Sequence, residues 1–370
     1  MVDWPELAQG QEAEEDESGL RTGVESLLLE AGLTGHFRAL PLDGGANNRV
    51  FHLQGTGSDF LLKMYSESPG DSRARPSTEF NFCRFAWDQN VRALPRPLAW
   101  TPETRVALYE YIPGRLLRPD EIGVDVVSEA LDFYEAINKN SQLPAARALP
   151  PASEACFSIG DHLERVAWRV ARLADLEVSS EVDDRARTFI GQALVPAWKE
   201  IRQRTEAGAG TGYLQARIPE SDERLSPSDF GFHNAIRTAD GSLRFIDFEY
   251  AGWDDPARMV CDFFCQPALP IPSDYFDWVA RRVTADLSEP ETHLRNTRLL
   301  FSVYQIKWCC ILLNDFLKSG HDRRNFSTRG SAETRKVAQL EKARLKLDTL
   351  LGTTKSQLPA SGGDEKHGLH

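Results

Sequence analysis

The chain of 370 residues contains no apolar run near the roughly 18 residues needed to span a bilayer. Its start, "MVDWPELAQG", has neither a basic stretch nor an apolar core. Both absences argue against export and against a membrane partner, so a cytoplasmic protein is expected. The six cysteines, at positions 83, 156, 261, 265, 309 and 310, form no CxxC pair. They sit in apolar settings such as "MVCDFFC" and "IKWCCILL", which predicts buried thiols and neither zinc ligands nor disulfides. The first 20 residues hold seven acids and no Lys or Arg, so they carry −7 of the formal −12 and leave about −5 for the rest. That balance disfavours nucleic acid as a partner. No internal repeat is found.

What is present divides in two. "VESLLLEAGL" reads as a short amphipathic helix ending at Gly32, after which the pattern changes to period two. "RVFHLQGTGSDFLLKMY" contains two strands, 49–54 and 59–65, joined by a Gly-rich turn as a hairpin. "RPSTEFNFCRFAWDQN" reads as a helix with Ser77 as its N-cap, and "RPLAWTPETRVALYEYIPG" as two further strands. Beyond about residue 120 helices predominate. The expected organisation is an acidic disordered tail over 1–19, a sheet lobe over 20–114, a helical lobe over 115–351 and a polar disordered tail over 352–370. The fold class is therefore α+β, with a small sheet N-lobe and a larger, mainly helical C-lobe.

"LSPSDFGFHNAI" and "LRFIDFEYAG" carry the chemistry. Asp229, Asn234 and Asp247 offer three side-chain oxygens, and the intervening "NAIRTADGSLRFID" reads as strand, Asp-Gly turn, strand, which folds Asn234 back beside Asp247. Phosphoryl transfer from ATP to a hydroxyl needs such a set: a carboxylate, Asp229, to meet the hydroxyl proton, and hard oxygen ligands, Asn234 and Asp247, for Mg²⁺. The N-lobe must then hold the nucleotide. Gly44 and Gly45 lie in a turn between strands, where backbone N–H groups can approach phosphate oxygens. Lys63 is a charge within the apolar strand "FLLKMY", and Glu79 on the next helix is its expected partner. Glu110, Tyr111 and Ile112, in "LYEYIPG", form the expected hinge that reads adenine.

This constellation resembles the aminoglycoside phosphotransferase and choline kinase family, relatives of the protein kinases, over about residues 35–320. The family's His-x-Asp, four residues, Asn pattern and its Ile-Asp-[Phe/Trp]-Glu strand look matched by "PSDFGFHN" and "IDFEYAG". Its Gly-Gly turn looks matched by Gly44, Gly45, Asn47 and Asn48. The resemblance implies a bilobal protein-kinase-like fold. One position departs: Pro227 stands where the family has the histidine that organises the loop.

The segment after Asp247 bears on the acceptor. Only "EYAGW" separates Phe248 from the helix begun near Asp254 and Asp255, too little for the long peptide-binding segment of a protein kinase. A small-molecule hydroxyl is the expected substrate, first a sugar or sugar-like metabolite, with an aminoglycoside or amino alcohol as the alternative. An inactive nucleotide-binding regulatory protein is the reading of a different class. Tyr304, Lys307, Trp308 and Asn314 fall at helical spacing on one stripe and are candidate acceptor contacts, together with Glu249, Trp253 and Asp254. The last helix, with near-heptad leucines, either pairs with a second copy or packs on the large lobe, so monomer and dimer both stay open.

Overall fold

The computed structural model describes residues 2–4, 22–42, 48–65, 74–210, 212–317 and 332–356, with side chains to 352. Its N-terminal lobe is built on a six-stranded sheet: Val2–Asp3 (β1), Phe37–Leu42 (β2), Asn48–Gly55 (β3), Asp59–Tyr65 (β4), Pro97–Thr101 (β5) and Val106–Glu110 (β6). The strand order is β1-β2-β3-β4-β6-β5, antiparallel except for β1 beside β2. Side chains alternate across each strand, and that alternation decides which residues face the cleft. On β4, Phe60 and Leu62 pack under the helix at 22–30 (α1) with Val24, Leu27 and Leu28. Leu61 and Tyr65 point the other way, toward Phe80 and Cys83 of Arg75–Asp88 (α2), and Lys63 shares their face.

Two expectations are corrected here. Residues 2–4 are not a disordered tail: Val2 pairs with Phe37, and Trp4 meets the Phe51 ring edge-on at 5.4 Å. The cause is an open strand edge on β2 and two apolar residues ahead of the acidic run; residues 5–21 lie outside the described set. Helix α2 begins at Arg75, before Ser77, because Pro76 is preorganised for a first turn; the Ser77 hydroxyl donates to the Ala74 carbonyl at 2.9 Å.

Past Tyr111 the chain enters Arg115–Leu116 (β7), which pairs with Ala235–Arg237 (β9) of the second lobe. Gly114 is required at this crossing, since a Cβ there would lie 2.5 Å from the Arg237 carbonyl oxygen. The helices of this lobe begin with Val124–Asn138 (α3), Pro144–Arg147 (α4), Ile159–Arg172 (α5), Glu181–Phe189 (α6) and Val195–Ala209 (α7). They continue with Pro256–Cys265 (α8), Phe276–Thr284 (α9), Pro290–Leu312 (α10) and Ala332–Ser356 (α11). Arg224–Ser226 (β8), Leu243–Phe245 (β10) and Gly252–Asp254 (β11) complete it. Helices α5, α6, α7, α8, α10 and α11 share one core. Leu340, Ala343, Leu347 and Leu350 of α11 are buried in that core, so the leucine stripe of the last helix packs on its own lobe. The helix also runs past residue 351, to Ser356.

Among the described residues one helix, Pro290–Phe316, is long and apolar enough to cross a membrane, and 61% of that window is buried inside the protein. All six cysteines are free and buried, as their apolar settings predict.

Candidate active site

The loop between β8 and β9 alternates apolar and polar residues, and this alternation aims it. Phe230 and Phe232 are buried against Phe263, with ring centroids 5.0 and 5.4 Å away, so Asp229 at the core's edge stays 39% exposed. The Asn234 amide donates to the Asp229 carbonyl at 3.0 Å, closing the loop on itself. His233 Nε2 lies 3.4 Å from the Asp229 carboxylate. The β9–β10 hairpin pairs Ala235 with Phe245, its turn is at Asp240 and Gly241, and the Ile246 N–H donates to the Asn234 carbonyl at 2.9 Å. Asn234 and Asp247 are thereby brought to one end of the hairpin. Asp247 holds a left-handed φ of +69°, a conformation that aspartate tolerates better than most residues.

Above this end sits Lys63. Its ammonium donates to Glu79 at 2.7 Å and also to Asp247, so it bridges the two lobes. Burial opposes the Lys63 charge, but Asp247, Glu79 and Glu249 outweigh it and hold the pKa above the usual lysine value. Burial pushes the Glu79 carboxyl up, with Lys63 offsetting part of the effect. Glu79 also accepts from the Tyr65 hydroxyl at 2.7 Å and the Phe248 N–H at 3.3 Å. Carboxylate oxygens of Glu79, Asp247 and Glu249 lie within 4.8 Å of one another. Glu249 is buried, accepts from Asn48 at 2.8 Å, and has the Arg75 guanidinium 3.6 Å away. Three carboxylates with two cations leave an excess of negative charge among hard oxygen donors. That donor set fits a divalent cation such as Mg²⁺.

The hinge residues lie at the end of β6 and just past it. The Glu110 N–H donates to the Arg96 carbonyl at 2.8 Å, Tyr111 stacks on His52 at 3.7 Å, and Ile112 is buried. Gly44, Gly45 and Asn47 lie outside the described residues.

The sequence matches the phosphotransferase enzyme family over residues 38–276. The chain belongs to that family. The class of reaction, phosphoryl transfer to a small-molecule hydroxyl, comes with it. No curated protein matches the chain. Several solved structures are similar in fold, among them an ethanolamine kinase from Plasmodium vivax, at TM-score 0.54 and 14% identity over 92% of this chain and 98% of that one. Choline kinase LicA from Streptococcus pneumoniae is similar at TM-score 0.52 and 14% identity, over 90% and 99% of the two chains. Spectinomycin phosphotransferase APH(9)-Ia, solved with ADP and spectinomycin, is similar at TM-score 0.52 and 11% identity, over 86% and 98%. Identities this low establish the kinase-like two-lobed fold and leave the acceptor open.

In this phosphotransferase the acceptor stripe expected on α10 turns inward. Lys307 donates to both oxygens of Asp262, at 2.7 and 2.9 Å, and Trp308 Nε1 donates to the same carboxylate at 2.8 Å. The Tyr304 hydroxyl pairs with His162 Nδ1 at 2.6 Å. Asn314 lies beyond the end of α10, in the 3-10 turn Leu313–Phe316, so the helical spacing does not reach it. Of the three residues after Asp247 singled out for the acceptor, Trp253 and Asp254 are also engaged internally. Trp253 donates to the Ala146 carbonyl at 2.9 Å under the Arg147 guanidinium, and Asp254 pairs with Arg258 at 2.6 Å. Glu249 faces the N-lobe and the Lys63 cluster. A buried polar group on a core helix needs a partner, and here the partners are Asp262 and His162.

Sequence reasoning passed over Tyr65, Arg75, Arg258 and Asp262. Tyr65 was within reach, two residues after Lys63 on the same face of β4. The others are defined by contacts that the local pattern does not encode.

Proposed function

We propose that the protein is an ATP- and Mg²⁺-dependent small-molecule kinase that phosphorylates a hydroxyl of an amino-bearing acceptor, an aminoglycoside or an amino alcohol. The observation that carries the kinase reading is Lys63, tied to Glu79 within its own lobe and to Asp247 across the cleft. Lys63 would orient the nucleotide phosphates, and Asn234 and Asp247 would hold the metal. When bound, Mg²⁺ neutralises phosphate charge as the phosphoryl group moves. Asp229 orients the acceptor hydroxyl and takes its proton. The solved structures named as ethanolamine kinase, choline kinase and spectinomycin phosphotransferase share this fold and support the aminoglycoside or amino-alcohol alternative over the sugar or sugar-like metabolite first expected. Six buried thiols support a reducing, cytoplasmic setting.

The test is phosphorus NMR of the protein with ATP and Mg²⁺ against amino alcohols, aminoglycosides and neutral sugars. A new phosphomonoester signal from an amino-bearing compound is expected. A signal from neutral sugars alone would restore the sugar as acceptor, and nucleotide binding by calorimetry without any product would leave a binding protein.

A further inference from the structure

The catalytic loop has Pro227 where the family pattern has its histidine, and proline offers neither an N–H nor a hydrogen-bonding side chain to organise the turn. Its next residue, Ser228, is buried with φ at +71°, a left-handed conformation that serine rarely adopts. Two contacts hold it there. The Ser228 N–H donates to Ser226 Oγ at 3.1 Å, and Arg258 Nη2 donates to Ser228 Oγ at 3.4 Å. The same Nη2 donates to the Ser153 carbonyl at 2.9 Å, Nη1 pairs with Asp254 at 2.6 Å, and Nε lies 3.5 Å from Asp262. Asp254 is itself fixed by the backbone N–H groups of Cys156 and Asp255, at 2.9 and 3.0 Å. A continuous set of contacts therefore runs from the segment before α5, through the first turn of α8, to the residue that precedes Asp229.

We propose that Arg258 is the positioning residue of this catalytic loop: it holds Ser228 in the left-handed conformation and so aims the Asp229 carboxylate, in place of the loop histidine. The proposal rests on the assignment of Asp229 as the base. Arginine suits the task because its planar fork engages Asp254, Ser153 and Ser228 together, which a lysine ammonium on a flexible stem does not. A carboxylate displaced by about 1 Å loses on the order of 100-fold in rate.

The experiment compares Ser228→Gly and Arg258→Lys with wild type and with Asp229→Asn. It measures kcat, KM for ATP, Tm, and hydrogen exchange of the amides at 226–234. Glycine adopts a left-handed φ freely, so Ser228→Gly is expected to melt no lower than wild type. Its loop amides are nonetheless expected to exchange faster, and kcat to fall about 10-fold to 100-fold with KM for ATP nearly unchanged. Arg258→Lys is expected to show the same split between kcat and KM. Wild-type exchange and kcat in both variants would overturn the proposal, because a contact that only stabilises the lobe leaves the loop unmoved once strain is relieved. Exchange is read without turnover, so it decides the role of Arg258 even if Asp229→Asn keeps a wild-type rate, a result that removes only the base assignment.

Discussion

Asp229 and Asp247 are both carboxylates at the cleft, yet their surroundings differ. Asp229 is half-exposed on a loop pinned by two buried phenylalanines, whereas Asp247 touches Lys63 and stands beside the Asn234 end of the hairpin. Asp229→Asn is therefore expected to abolish turnover while ATP affinity stays near wild type. Asp247→Ala should instead weaken Mg²⁺-ATP binding, since it removes a charged ligand. Calorimetry of nucleotide binding beside a turnover assay separates the two, and full activity in the Asn variant would take Asp229 out of the base role. These residues were legible in the sequence because their separations are set by local structure: one loop, one Asp-Gly hairpin, one strand and the helix after it. The surroundings of Glu249 were not legible, for the opposite reason. Its neighbours Asn48 and Arg75 are brought to it by the closure of the two lobes, which no local pattern encodes.

At the scale of elements, α10 shows where periodicity stops being informative. A polar residue on an apolar helix reads the same whether it lines a pocket or meets a buried partner, and the partner here, Asp262, lies 45 residues away on α8. Lys307→Ala is accordingly expected to cost stability. It leaves the Asp262 carboxylate buried without its main counter-charge, at a cost of about 3 kcal/mol. Thermal melting should show a fall of several degrees, and an unshifted Tm with weakened acceptor binding would return Lys307 to the pocket. Strand β1 makes the complementary case. Deleting residues 1–19 should lower Tm because Val2 leaves the sheet edge and Trp4 leaves Phe51. A wild-type melt in the truncated chain would show that the strand adds nothing.

Over the whole molecule, the hairpins and the alternation of buried and exposed positions were readable, while the network that ties the helical lobe together was not. His162 is at its centre, fully buried between Tyr304 of α10 and Asp255 at the start of α8, with Nε2 3.2 Å from the Asp255 carboxylate. Burial works against its charge, but the Cys156 sulfur and the Asp255 carboxylate more than offset this and hold its pKa up at about 10. In the unfolded chain a histidine titrates near 6.5. The folded value is the higher one, so the stabilisation is complete below about pH 6.5 and is lost as pH rises through about 10. Buried thiols at Cys83, Cys261, Cys265, Cys309 and Cys310 are pushed up too, so they oppose folding at alkaline pH. They contribute only once the unfolded thiols ionise, near pH 8.5. Between about pH 6.5 and 8 the decline in stability therefore belongs to His162 alone among these groups. Tm should fall steadily across that window in wild type, and His162→Gln, while less stable overall, should show a flat profile there. Parallel slopes in the two proteins would mean that the imidazole is neutral in the fold and that Asp255 holds it through an uncharged hydrogen bond.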